Sequence, residues 1–163
     1  MTKIGLLSDT HSYLDDAVFT YFANCDEIWH AGDFGDSVAD KLEAFKPLRG
    51  VYGNIDNQAI RLQFPEDLRF TCEDVEVFMT HIGGYPGKYA PRIKAELLKN
   101  PPKLFITGHS HILKVIFDPK IQCLHLNPGA AGKHGWHKVR TLMRFDINGD
   151  KIENLEVIEL KGR

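Results

Sequence analysis

The chain has 163 residues, of which 43% are hydrophobic and 26% charged, and its formal net charge is -2. That length suits one domain, residues 1–163, with its own core. The near-neutral charge gives no reason to expect a nucleic-acid or membrane partner. Three scattered cysteines, Cys25, Cys72 and Cys123, form no C-x-x-C. They argue against a disulfide framework or a thiolate zinc site, and for a reducing compartment. The opening run KIGLLSD is too short for a signal-peptide core or a membrane span, so the expected location is cytoplasmic.

In chain order, KIGLLS (3–8) reads as a buried strand. Leu14, Val18, Tyr21 and Phe22 then share one helical face, with Ser12 as a candidate N-cap. EIWH (27–30) is a second strand. Val38, Leu42 and Phe45 repeat at helical spacing until Pro47, and LRGVY (48–52) is a third strand. This alternation predicts parallel strands with helices on their faces. Residues 68–81 read as two strands joined at Glu73-Asp74. A helix carrying Ala90, Ile93 and Leu97 ends at NPP (100–102), and KLFIT (103–107) is again a buried strand. Two hairpins follow, turning at Asp118-Pro119 and at Asn148-Gly149. The expected fold class is α/β, with mixed sheets, parallel early and antiparallel late, in a two-layer β core flanked by helices.

Polar residues cluster where these strands stop. SDTH (8–11) follows the first, HAGD (30–33) the second and GNID (53–56) the third. His81 follows VFMT, GHSH (108–111) follows LFIT, and NPG (127–129) follows CLHL. Ligands of open α/β sheets bind outside the carboxyl ends of strands. Converging there, the ends would gather Asp9, His11, Asp33, Asn54, His81, His109 and His111. Oxygen and imidazole donors without thiolate suit Mn, Fe, Co, Ni or Zn; of these, Mn is the ion expected. Seven donors exceed one tetrahedral ion and fit two ions sharing a carboxylate. In Asp9-x-His11 and His109-x-His111, residues i and i+2 of an extended strand would point the same way. An isolated histidine is more often a packed core residue, and His125, mid-strand without polar neighbours, is read so. His30 and Asp56 are expected to support the ligands rather than bind metal.

Asp9-x-His11, Gly32-Asp33, Gly53-Asn54, His81, Gly108-His109-x-His111 and Asn127-Pro128-Gly129, in that order, resemble the calcineurin-like metallophosphoesterases. The short length and the NPG block resemble the small bacterial and archaeal phosphodiesterase branch, which also includes the retromer scaffold subunit. The resemblance implies a four-layer αββα sandwich of two mixed β-sheets flanked by helices. It also implies one ion on Asp9, His11, Asp33 and His111, and another on Asp33, Asn54, His81 and His109, with Asp33 bridging.

Many members of that superfamily place His after Gly-Asn, as general acid or phosphate anchor; here the position is Ile55, which has no proton to give. The implied activity is phosphodiester hydrolysis by a metal-bridging hydroxide, with Asn54 against the phosphate oxygens. Backbone N–H groups near Gly129, with His134 and His137 of the GKHGWHK loop (132–138), are candidate substrate contacts. Leaving-group protonation would fall to water or to His30. Aryl diesters should therefore react well, and diesters with alkoxide leaving groups poorly. The expected partner is a small phosphodiester, with no nucleic acid and no membrane; homo-oligomerisation is left open. The alternative is a weakly active or inactive scaffold like the retromer subunit.

Overall fold

The computed structural model describes residues 1–162. Its first sheet runs β12-β11-β1-β2-β3 and its second β4-β5-β8-β10-β9. The strands are β1 (Thr2–Leu7), β2 (Glu27–His30), β3 (Leu48–Gly50), β4 (Asp67–Cys72), β5 (Val75–Thr80), β8 (Leu104–Ile106), β9 (Lys114–Asp118), β10 (Cys123–Asn127), β11 (Arg140–Asn148) and β12 (Lys151–Leu160). A two-stranded ribbon, β6 (Gly84–Tyr85) with β7 (Lys88–Tyr89), lies between β5 and β8 in the chain. Both sheets are mixed. β1, β2 and β3 are parallel, as are β5, β8 and β10, while hairpin partners at the edges are antiparallel.

The apolar runs of the parallel strands are buried on both faces, as parallel strands covered by helices must be. Ile4, Leu6 and Trp29 of the first sheet meet Val77, Met79, Ile106 and Leu126 of the second. Trp29 is fully buried, with Phe70 of the opposite sheet 5.0 Å and Phe145 of its own 5.7 Å from its ring. Removing a side chain of that size from a core costs ~3–5 kcal/mol. On the outer face of the first sheet, Leu7 and Ile28 pack with Val18 of α1 (Ala17–Tyr21), Leu42 of α2 (Val38–Phe45) and Ile60 of α3 (Gln58–Gln63). On the outer face of the second, Phe78 and Phe105 pack with Ile93 and Leu97 of α4 (Pro91–Lys99). The layers are therefore helix, sheet, sheet, helix, as the α/β reading expected.

Local expectations changed in four places. Ser12 does not cap α1: that helix starts only at Ala17, and Ser12 Oγ instead accepts the N–H of Asp36 at 2.8 Å. The short α3 was not predicted, because Ile60 is its only buried residue and gives no apolar period. Its signal was the cap, where Asn57 Oδ1 accepts the N–H of Ile60. The ribbon β6–β7 was also unpredicted. Finally, antiparallel pairing is not a property of the later chain alone, because β11 returns to pair with β1 in the first sheet.

Candidate metal centre

Three parallel strands from each sheet end at the same end of the sandwich, and each end carries one block. β1 delivers Asp9 and His11, β2 delivers Asp33, and the turn after β3 delivers Asn54. β5 delivers His81 and β8 delivers His109 and His111. Backbone hydrogen bonds knit these loops together. Asp9 N donates to Gly32 O and His11 N to Asp33 O, at 3.0 and 3.1 Å. Gly108 N donates to His81 O at 3.1 Å. At Gly53 a Cβ would overlap Asp33 Oδ1, so glycine is what lets the third loop reach the second.

The pairs Asp9-x-His11 and His109-x-His111 converge, but not as extended strand. β1 stops at Leu7 and β8 at Ile106. Asp9, His11, Asp33, His109 and His111 all have positive φ, between 45° and 70°. Such left-handed non-glycine residues cost on the order of 1–3 kcal/mol each and gather at functional sites. Each loop turns back at its ligand, and that curl aims the side chains inward.

The resulting cluster is tight. Asp33 Oδ2 lies 3.3 Å from His11 Nε2 and 3.2 Å from His81 Nε2. Asp9 Oδ1 lies 3.2 Å from His111 Nε2, 3.7 Å from His81 Nε2 and 3.8 Å from His11 Nε2. His109 Nδ1 and Asn54 Oδ1 are 3.0 Å apart. Asp9, His11 and His111 offer donor atoms within 4.8 Å of one another, and so do Asp33, His81 and His109. Asp9 Oδ1, His11 Nε2 and His81 Nε2 are buried without a hydrogen-bond partner. The remaining polar atoms of His81 and Asp9 are engaged. His81 Nδ1 donates to Ala31 O at 2.7 Å, which turns its Nε2 toward the carboxylates. Asp9 Oδ2 accepts from Ser8 Oγ and from the His109 N–H, and Asp33 Oδ1 from the Ile55 N–H. An orphaned, inward-facing set of carboxylate and imidazole atoms is what a divalent cation needs, and these residues fit one.

Charge tells the same story. Burial pushes the Asp9 and Asp33 carboxyls up, but facing imidazoles outweigh it and hold both well below the usual carboxylate range. Asp33, and then Asp9, raise His11 to about 9. Burial opposes a proton on His81, yet Asp33 and Asp9 leave it raised as well. Burial lowers His109. Without a cation, two carboxylates keep their negative charge and draw protons onto the histidines around them.

The supporting residues divide in an unexpected way. Asp56 touches no ligand side chain directly. It is buried, and its carboxylate accepts the N–H groups of Gly53, Phe34 and Gly35 at 2.8, 3.2 and 3.0 Å, bracing the Asn54 turn against the Asp33 loop. His30 is fully buried, stacked on Phe34, and lowered to about 3 by burial. Its Nδ1 accepts the Gly32 N–H, so Nε2 carries the proton and donates to Thr10 Oγ1. It steadies loop backbones rather than a ligand ring, and it is sealed from any leaving group. Sequence reasoning did not assign a role to Asn127. Its Nδ2 donates to Gly108 O at 3.0 Å and its Oδ1 accepts the Gly129 N–H at 2.9 Å, which ties NPG to the GHSH loop. That bond also corrects the reading of Gly129. Its N–H is committed, it is buried, and it contributes nothing to the cleft wall.

A cleft of about 540 Å³ opens over the cluster, with His134 and His137 in its wall beside Ile55. The His134 ring packs 4.7 Å from that of His11, and the His137 ring 5.0 Å from that of His111. A groove of about 580 Å³ elsewhere, between Tyr21 and β11–β12, is slightly larger. Its charges are paired with each other, Lys3 with Asp146 and Arg144 with Glu156, and no ligand set converges there. His125 is buried mid-strand against Phe105, away from the cleft.

A four-layer αββα sandwich with carboxylate, imidazole and amide donors gathered at its strand ends defines a metal-binding α/β class of protein. The calcineurin-like phosphoesterase superfamily domain matches residues 2–150, and the chain belongs to that family. It is 33% identical to a probable metallophosphoesterase of Methanocaldococcus jannaschii over 158 residues, covering 92% of this chain and 78% of that one. A solved archaeal phosphodiesterase superposes with a TM-score of 0.78 at 22% identity, over 97% of this chain and 99% of the other. Wild-type Vps29 of Entamoeba histolytica, solved with Zn²⁺, superposes with a TM-score of 0.74 at 16% identity, over 96% and 98%. By family the chain is a metallophosphoesterase, a metal-dependent hydrolase. Among the described residues, no helix is long and apolar enough to cross a membrane.

Proposed function

We propose that the chain is a phosphodiesterase working with two divalent cations held side by side. The observation that supports this best is the orphaned set Asp9 Oδ1, His11 Nε2 and His81 Nε2. None of the three has a well-formed hydrogen bond, and a cation would satisfy all of them. Asp9, His11, Asp33 and His111 would hold one ion, and Asp33, Asn54, His81 and His109 the other. Asp33 would be the ligand common to both, its Oδ2 lying 3.3 and 3.2 Å from His11 Nε2 and His81 Nε2. Manganese is our first choice among the ions this mixed oxygen and imidazole set can take. The zinc bound by the Entamoeba neighbour keeps zinc in play, with Ni, Co and Fe also compatible.

When bound, the ions supply Lewis-acid charge and an acidified water nucleophile. The chain's own groups do the rest. The Ile55 N–H holds Asp33 in place, and Asn54, 3.0 Å from His109 Nδ1, is the candidate contact for the phosphate oxygens. His134 stands in the cleft wall as a candidate substrate contact, whereas His137 Nε2 donates to Gly132 O at 2.8 Å, so that ring braces its own loop. Ile55 carries no proton and His30 is sealed, so neither protonates the leaving group. The substrate is a small phosphodiester, and the three buried free cysteines suit the reducing cytoplasm.

The test is hydrolysis of a chromogenic diester by protein reconstituted with Mn, Ni, Co or Zn. Metal-dependent turnover, lost in Asp33→Ala while the melting profile stays cooperative, supports the proposal. Absence of turnover with every metal overturns it and favours a second reading, a partner-binding scaffold. One observation speaks for that reading: Val115 and Phe117 are 46% and 53% exposed on the edge strand β9.

A further inference from the structure

Trp136 is 100% exposed, although a packed tryptophan ordinarily buries ~150–250 Å². Its position is not arbitrary. It lies between His134 and His137, whose rings pack against His11 and His111, so the loop carrying it is pinned on both sides over the carboxylate and imidazole cluster. Trp136 lines the same cleft as Ile55 and Ile112, which are 47% and 57% exposed. The floor of that cleft is carboxylate and imidazole, while its rim carries an indole and two branched aliphatic side chains. A volume of about 540 Å³ is within the range of small-molecule sites and leaves room beyond a phosphate group.

A polar floor under an apolar rim fits an amphipathic ligand: an anionic phosphorus group below, and a flat apolar substituent above. Resting on the phosphodiesterase reading, we infer that the ester group of the substrate carries an aromatic ring, stacked on Trp136 and flanked by Ile55 and Ile112. An indole face accepts planar rings offset-stacked or edge-on, which aliphatic groups match poorly. The inference concerns binding and is separate from leaving-group chemistry. Non-hydrolysable phosphonates, which have no leaving group, therefore isolate it.

The experiment follows tryptophan emission of the zinc-loaded protein during titration with methylphosphonate, phenylphosphonate and adenosine 5′-monophosphate. Trp29 is fully buried and Trp136 fully exposed, so the solvent-exposed emission band reports Trp136. Phenylphosphonate, the nucleotide or both should bind about tenfold tighter than methylphosphonate and quench or blue-shift that band. Whichever aromatic ligand binds tighter distinguishes a simple aryl ester from a nucleotide ester. Trp136→Ala should erase the preference over methylphosphonate, and Trp136→Phe should keep most of it. Equal affinities in the wild-type protein, or a preference that survives Trp136→Ala, overturn the inference. Metal-dependent diester turnover without aromatic preference sinks this inference alone. No turnover and no phosphonate binding sinks the phosphodiesterase reading with it.

Discussion

The backbone N–H of Ile55 donates to Asp33 Oδ1 at 3.1 Å. The residue whose side chain has no proton to offer thus positions the carboxylate at the centre of the site, and does so through an atom that every amino acid but proline possesses. Its side chain is half exposed in the cleft wall.

Ile55→His should therefore keep Asp33 in place and change stability by no more than about 0.5 kcal/mol, the usual range for an exposed site. It should add a proton donor at the cleft. General-acid help is worth ~10²–10⁴ in rate, and it matters most where the leaving group is a poor one. Comparing kcat for an aryl diester and an alkyl diester checks this. An equal gain on both classes contradicts the missing-acid account.

Asp56→Ala should remove the brace between the Asn54 turn and the Asp33 loop. It strands three backbone N–H groups, those of Phe34, Gly35 and Gly53. A loss of about 3 kcal/mol by denaturant unfolding is expected, with weaker metal binding. Unchanged metal affinity in the folded variant would show that the brace does not set ligand geometry.

Asn127→Ala should loosen the GHSH loop by freeing Gly108 O and the Gly129 N–H, at a cost of about 2 kcal/mol. Because His109 and His111 lie on that loop, metal affinity should fall in step with stability. Thermal melts with and without metal measure both, and a variant with full metal stabilisation contradicts the assigned role.

Metal binding should release protons. In the metal-free protein His11 is raised to about 9 and His81 is raised too, so near neutral pH the cation must displace a proton from His11. Apparent affinity should climb with pH and flatten above about 9. The same groups shape metal-free stability. The His11 contribution is complete below its ordinary value of 6.5 and is lost as pH rises through about 9. The contributions of Asp9 and Asp33, held low, are present above the ordinary carboxylate range and are lost on acidification. Calorimetry in buffers of different ionisation heat counts the protons: about one or more per chain is expected near pH 7, and none contradicts the account.

Much of this was legible in the sequence because it is local. Continuous apolar runs marked the strands buried on both faces, and each block of Asp, Asn or His stood where a run stopped. The geometry inside the blocks was not legible. Asp9, His11, His109 and His111 converge through left-handed backbone, a conformation that the residue types there do not announce. Nor was the partner of β1, because β11 lies far along the chain and its register with β1 is set by packing of Phe145 and Ile147 in the shared core. His30 carried no mark of its isolation, which depends on Thr10 and Phe34 closing over it. Asp56 reads in sequence only as a supporting residue, and the folded loops reveal the three N–H groups it collects.

The most direct test of the central claim is anomalous diffraction from crystals grown with Mn²⁺. The account predicts two peaks ~3.5–4 Å apart, with Asp33 between them. One should lie beside Asp9, His11 and His111, and the other beside Asn54, His81 and His109. A single peak in that cluster, or manganese bound only elsewhere, would contradict it.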